Sequence, residues 1–362
     1  MNAVMTVDLS ELDAWSAQVQ RASDDLTGIA RNGSNSLVQS DFGPILETMM
    51  GAYNSLLPSV TQSLDDNASG TRDHAEALRA TARDFTLTED GIVRRHNANG
   101  VDARDGSTSF FDVADTTIRR AAPTETSLPQ ISFGFPYDTV CDLVKMLTGF
   151  DIRAELAEKI GGDVVSASGQ GSSFGSLGSS MKGVAANLQS GGQTITKTWQ
   201  GSTSDAAIKQ IGTWVGSLST QAGQLIQMGQ NIVQICRDAW QTALSVVQCV
   251  KSAVQTVSSA LATMSIPGVG WARVVQAVFQ AFQAVMKAYK AIMKFINILK
   301  QVKQLIETVK NFFDGDKAPV STPTAPTATG TPTSITRDPS SITTPTVGQK
   351  PVEPVAPTVV TA

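Results

Sequence analysis

The stretch Ile195-Thr196-Lys197-Thr198-Trp199-Gln200-Gly201-Ser202-Thr203-Ser204-Asp205-Ala206-Ala207 lies between two long runs of helical periodicity. Upstream, Phe174, Leu177, Met181, Val184, Leu188, Ile195 and Thr198 mark a helix over 174–198. Downstream the pattern predicts a very long helix over 203–264. Its seam, Trp240, Ala243, Val247, Val250, Val254, Val257, Leu261 and Met264, alternates steps of three and four. In the turn between them, glycine permits a sharp backbone reversal. The tryptophan can plug the open end, and Ala206 and Ala207 let two helices approach. The stretch therefore reads as the tip of a helical hairpin. Ile266-Pro267-Gly268-Val269-Gly270 predicts another turn, and a final helix follows from Trp271 to about Phe313. Its seam is expected along Trp271, Val275, Val278, Phe282, Val285, Tyr289, Ile292, Ile296 and Leu299. A register break is expected before Val302, Ile306, Val309 and Phe313.

A second hairpin is legible at the N-terminus. Leu9, Leu12, Trp15, Val19, Ala22, Leu26 and Ile29 share one helical face over 8–37. Ser10 and Asp13 suggest its cap, and Asn32-Gly33 its end. Asp41-Phe42-Gly43-Pro44 is a turn with Pro44 suited to a first helical turn. A helix then runs over about 44–90, which Pro58 and Gly70 are expected to bend or interrupt. Residues 101–170 read as a linker with one short helix near 137–160, and 166–180 as a Gly/Ser-rich connection. After Phe313 the chain turns to Pro, Thr, Ser, Ala and Val, so 314–362 is expected to be a disordered tail. The expected fold class is all-α: long antiparallel helical hairpins packing into a four-helix-bundle-like core. The units are 1–100, 101–170, 171–313 and the tail.

Two resemblances attach to these hairpins. The Trp199-x-Gly201 turn resembles the WXG superfamily of small helical-hairpin proteins exported by type VII (ESX) secretion systems. The N-terminal hairpin looks like the EspC-like ESX secretion-associated proteins. Those end their second helix with an aromatic residue, three residues and an acid, and here Phe85 and Glu89 match. The departure is phenylalanine for tyrosine, which removes a hydroxyl. An i, i+4 pair shares one helical face, so a recognising ATPase could read ring and carboxylate together. The resemblances leave 91–170 and the tail uncovered. They imply a non-enzymatic substrate or accessory protein of an actinobacterial type VII system. It would be cytoplasmic before export, then secreted or held at the cell surface by a route without a signal peptide. Its implied partners are an ESX secretion ATPase and a helical-hairpin partner or a second copy.

Composition fits that frame and removes others. The 362 residues carry a net charge of −4 with 17% charged residues, so no global basic field suggests nucleic acid. The total hides a division. Residues 1–120 hold 10 Arg, no Lys and 18 acids, whereas 201–313 hold 10 basic residues and 3 acids. Lys287, Lys290, Lys294, Lys300, Lys303 and Lys310 make the last helix a candidate surface for an anionic membrane, or for the acidic hairpin. Membrane association through 240–313 is the first alternative function. An intracellular coiled-coil scaffold or phage structural protein is the second. No cofactor, metal site or catalytic group is expected. Three cysteines show no metal spacing, and Cys236 and Cys249 read as core thiols. His74 beside Asp73 reads as a solvated position. Gly171-Ser172-Ser173-Phe174-Gly175 matches G-x-S-x-G, but no strand–turn–helix context surrounds it. The N-terminal residues lack the basic and apolar regions of a general secretory signal.

Overall fold

The computed structural model describes residues 6–96, 110–119, 122, 127–128, 136–263 and 270–315. The helices are α1 (Leu9–Ser36), α2 (Glu47–His96), α3 (Tyr137–Thr148), α4 (Val164–Ile195), α5 (Ser202–Leu261) and α6 (Gly270–Gly315). Two two-residue strands, β1 (Thr6–Val7) and β2 (Trp199–Gln200), pair antiparallel. The class is all-α, as expected.

Helix α1 begins at Asp8, not at the Ser10–Asp13 pair. Asp8 Oδ1 accepts from the backbone N–H groups of Ser10 (3.0 Å) and Glu11 (3.4 Å). It also runs past Asn32-Gly33 to Ser36. Gly33 sits inside the helix, where a Cβ would lie 2.7 Å from Leu64 Cδ1 and push that side chain aside. The turn at Asp41–Pro44 forms as read, with Gly43 at φ +82°. Helix α2 is continuous, so Pro58 and Gly70 do not interrupt it. Pro58 faces solvent, and its missing N–H removes only one rung of a ladder held by burial on the other face.

The hairpins α1–α2 and α4–α5 pack on each other as a four-helix bundle. Helix α1 runs antiparallel to α4: Gln18 Nε2 donates to Asn187 O (3.2 Å), while Gly33 lies beside Leu177. Helix α2 meets α5 through Asn67 and Ser63, whose side chains bond Gln221 Oε1 (2.5 and 3.2 Å). The Gly/Ser-rich 166–180, expected as a connection, is helical, and α4 starts at Val164. Close packing explains it. A Cβ on Gly178 would meet Ala222 O at 2.7 Å, and one on Gly229 would meet Gly171 O at 2.5 Å. Each glycine costs roughly 0.5–1 kcal/mol of helix propensity. The backbone approach it allows between α4 and α5 offsets that cost.

Helix α5, at 60 residues, is about 90 Å long. Beyond Arg237 it outruns α4 and packs on α6. The buried line of α6 is Val274, Val278, Ala281, Val285, Ala288, Ile292, Phe295, Leu299, Ile306, Val309 and Phe313. With half-buried Val302 it alternates four and three without interruption. The expected seam chose Phe282, Tyr289 and Ile296 where the structure buries Ala281, Ala288 and Phe295. The register break is therefore absent: the seam was placed one residue off on alternate turns. Small alanines face α5, and the larger rings flank the contact. Phe150, after α3, packs edge-on against Phe282 (6.0 Å) and Tyr289 (5.7 Å). The short helix ends at Thr148, with Gly149 left-handed beyond it. Arg153 then ties the following turn to α3 through Asp138 and Asp142, both at 2.8 Å. The expected tail lies outside the described residues, apart from Asp314 and Gly315, which end α6.

Candidate functional site

The two sequence motifs meet at one end of the bundle. Trp199 is fully enclosed. Trp15 of α1 stands edge-on to it at 6.2 Å between ring centroids, and Phe85 of α2 at 6.4 Å. Gly201 follows at φ +118°, a conformation that disfavours any side chain. Its carbonyl accepts from Asp205 N (3.0 Å), and Ser204 Oγ donates to Trp199 O (2.7 Å). The turn is also stitched to the N-terminus. Val7 pairs with Trp199, Thr6 with Gln200, and Asp8 N donates to Thr198 O (3.1 Å). Asp8 thus links the turn through its backbone while its carboxylate caps α1. Ala207 is fully buried and Ala206 nearly so.

Phe85 does not present its ring to solvent; it is 3% exposed. A surface reading of ring and carboxylate together is therefore corrected. Glu89 lies one turn further along α2, and its side chain is outside the described residues. The face of α2 that carries Phe85 is partly polar: Ser63, Asn67, Thr71, His74, Leu78, Thr81 and Phe85 follow steps of four and three, and all are buried. Sequence reading missed this face, although the spacing was present. His74, expected in solvent, is 1% exposed. It lies one heptad beyond Asn67 on α2, as Trp214 lies one heptad before Gln221 on α5. Neither His74 nitrogen has a partner among the described residues, nor does Trp214 Nε1. Burial pulls the His74 pKa down from 6.5 to about 4.

A second missed element is an extended strap, residues 110–119, laid over α1 and α4. It is gripped by its backbone. The Asn187 amide accepts from Ala114 N (2.8 Å) and donates to Ala114 O (3.2 Å). Gln18 donates to Phe111 O (3.2 Å), and Ser180 and Ser176 donate to Thr117 O (3.2 Å) and Arg119 O (2.6 Å). Arg21 reaches Asp112 at 2.9 Å. Gly183 clears the path, since a Cβ there would lie 2.6 Å from Asp115 O. A groove of about 760 Å³ opens beside the strap, bounded by Gly171, Gly175 and Ser179 of α4 and by Gln230, Gln234 and Arg237 of α5.

Of the six lysines singled out on the last helix, Lys287, Lys290, Lys294, Lys300 and Lys303 are exposed, and Lys310 is half-buried. Their ion pairs stay within α6: Lys303 with Glu307 (3.8 Å) and Lys310 with Asp314. Helix α6 does lie against α2, and Ser59 Oγ donates to Asp314 Oδ1 (2.6 Å). Ser173 of the G-x-S-x-G match is buried in the middle of α4, with its hydroxyl donated to Gly169 O (3.1 Å). That is helix interior, without the exposed turn a nucleophile elbow requires. Cys236 is buried as read and Cys249 is half-buried; burial raises the Cys141 thiol to about 11. Among the described residues no helix is long and apolar enough to cross a membrane, and no His/Cys/Asp/Glu group could hold a metal ion.

No known family matches this chain, and no curated protein does. Among solved structures, the crystal structure of EspB from the ESX-1 type VII secretion system aligns with 79% of this chain and 94% of its own length. The identity is 11% and the TM-score 0.29.

Proposed function

We infer that this chain is a non-enzymatic substrate or accessory protein of a type VII (ESX) secretion system, exported as a folded helical bundle. One observation carries the reading: Phe85 packs on Trp199. The aromatic–acid match at the end of the first hairpin and the Trp-x-Gly turn of the second thus share one end of the bundle. An ESX ATPase would meet a single composite surface there, with Glu89 following Phe85 by one helical turn on α2. In this reading the buried ring positions the helix end, and Glu89 supplies the charge that the ATPase recognises. The N-terminal strand, tied to the turn through Val7, completes the same end. The protein is cytoplasmic before export and reaches the cell surface or the medium without a cleaved signal.

The test is secretion in the native host. Phe85→Ala with Glu89→Ala should abolish appearance in the medium while the protein accumulates in cells. Removing a buried phenylalanine costs about 3–5 kcal/mol, so Glu89→Ala alone, which spares the aromatic cluster, separates signal from stability. It should reduce export with an unchanged melting temperature. Normal export of both variants would refute the signal assignment.

A further inference from the structure

The hairpin of α5 and α6 beyond Arg237 carries a surface that the bundle does not use. Between Asp238 and Glu307 the sequence has seven Lys or Arg residues and no Asp or Glu. The buried line of α6 faces α5, and Phe150 covers one flank at Phe282 and Tyr289. Opposite the buried line, Phe279, Gln283, Lys287, Lys290 and Lys294 form an exposed stripe at steps of four and three. Phe279 is 52% exposed, Met293 beside Lys294 38%, and Trp271 at the start of the helix 53%. Among the described residues Lys287, Lys290 and Lys294 form no ion pair, and large apolar side chains stand exposed beside them, the composition of a contact surface.

We propose that this face of α6, carried by Phe279, Lys287, Lys290 and Lys294 and bordered at the first turn of the helix by Trp271, docks on an anionic lipid surface. The chemistry points to lipid over a protein partner. The stripe carries three lysines and no acid, with long flexible ammonium side chains suited to a diffuse negative sheet. Tryptophan and phenylalanine suit the boundary between headgroups and acyl chains. The helix lies on the membrane without spanning it, because its other face is already buried on α5. The phosphodiester headgroups take the lysines, and the rings enter between them.

Flotation of the full-length chain with phosphatidylcholine vesicles, with or without about 30 mol% phosphatidylserine, tests this. Binding should require the anionic lipid and weaken as salt rises. Lys290→Glu with Lys294→Glu should weaken binding by about 25-fold or more, taking roughly fivefold per lysine neutralised near the surface. Trp271→Ser with Phe279→Ser should weaken it by about tenfold or more. All four positions are exposed, so thermal unfolding should be unchanged. Lys209→Glu, on the bundle portion of α5, should bind as wild type. Equal flotation with neutral vesicles, or equal loss from Lys209→Glu, would overturn the proposal. So would a lysine-pair variant that dissociates a self-associated form in sedimentation without changing flotation. In that case the occupant of the face is the acidic hairpin of a second copy.

Discussion

Acid should loosen the seam between the two hairpins through one residue, His74. The side chain is enclosed on the face of α2 that meets α5 one heptad earlier through Asn67, and no charged group stabilises its protonated form; desolvation alone sets its direction. Its pKa falls from 6.5 in the open chain to about 4 in the fold. Between those values the unfolded chain binds a proton that the folded one refuses, so stability falls as pH falls. The full contribution is present above 6.5 and is lost by about 4. At 1.36 kcal/mol per unit, the loss is about 3 kcal/mol. The assay is urea unfolding followed by tryptophan fluorescence across that window. Wild type is compared with His74→Leu, so that the carboxylates, which also titrate, cancel. The difference between the two proteins should grow by about 3 kcal/mol in favour of the leucine variant as pH drops. An unchanged difference across the window would refute a buried neutral imidazole. A difference of opposite sign would require an unseen acid partner.

Two further predictions concern packing. Gly229→Ala should destabilise by about 1–3 kcal/mol, because its methyl would press on the α4 backbone at Gly171 and Gly175. Gly223→Ala, six residues away on the same helix with open space around it, should stabilise by up to about 1 kcal/mol. Thermal melting of the pair checks the sign reversal. Asn187→Ala should release the strap by removing both bonds to Ala114. Hydrogen exchange should then rise at 110–119 while the bundle core stays protected, and uniform loss of protection would argue that the strap is integral to the core.

The hairpins were legible because their buried positions recur at helical spacing and because Gly43 and Gly201 mark backbone turns with positive φ. The Trp199 end was legible for the same reason: one ring, one glycine and two alanines in a short span. Other features hid behind residue type. Residues 166–180 look like a loop by composition, since glycine and serine are poor helix formers. They form a helix because α5 approaches so closely that larger residues would not fit. His74, Asn67 and Thr71 look solvent-facing by polarity, yet they share a face with Leu78 and Phe85. On α6 the largest side chains suggested the seam, but the tight contact selects Ala281 and Ala288 and leaves Phe282 and Tyr289 at its flank. The strap could not be read from periodicity at all. It is held by its backbone, through residues on two distant helices.

The bond between Asn67 and Gln221 joins two hairpins of one chain. Two separate hairpin chains would assemble with an affinity, and dilution would pull them apart. Here both hairpins belong to one chain, so their encounter is intramolecular and does not depend on the protein concentration outside. The bundle should remain assembled when a few molecules are released into a large volume.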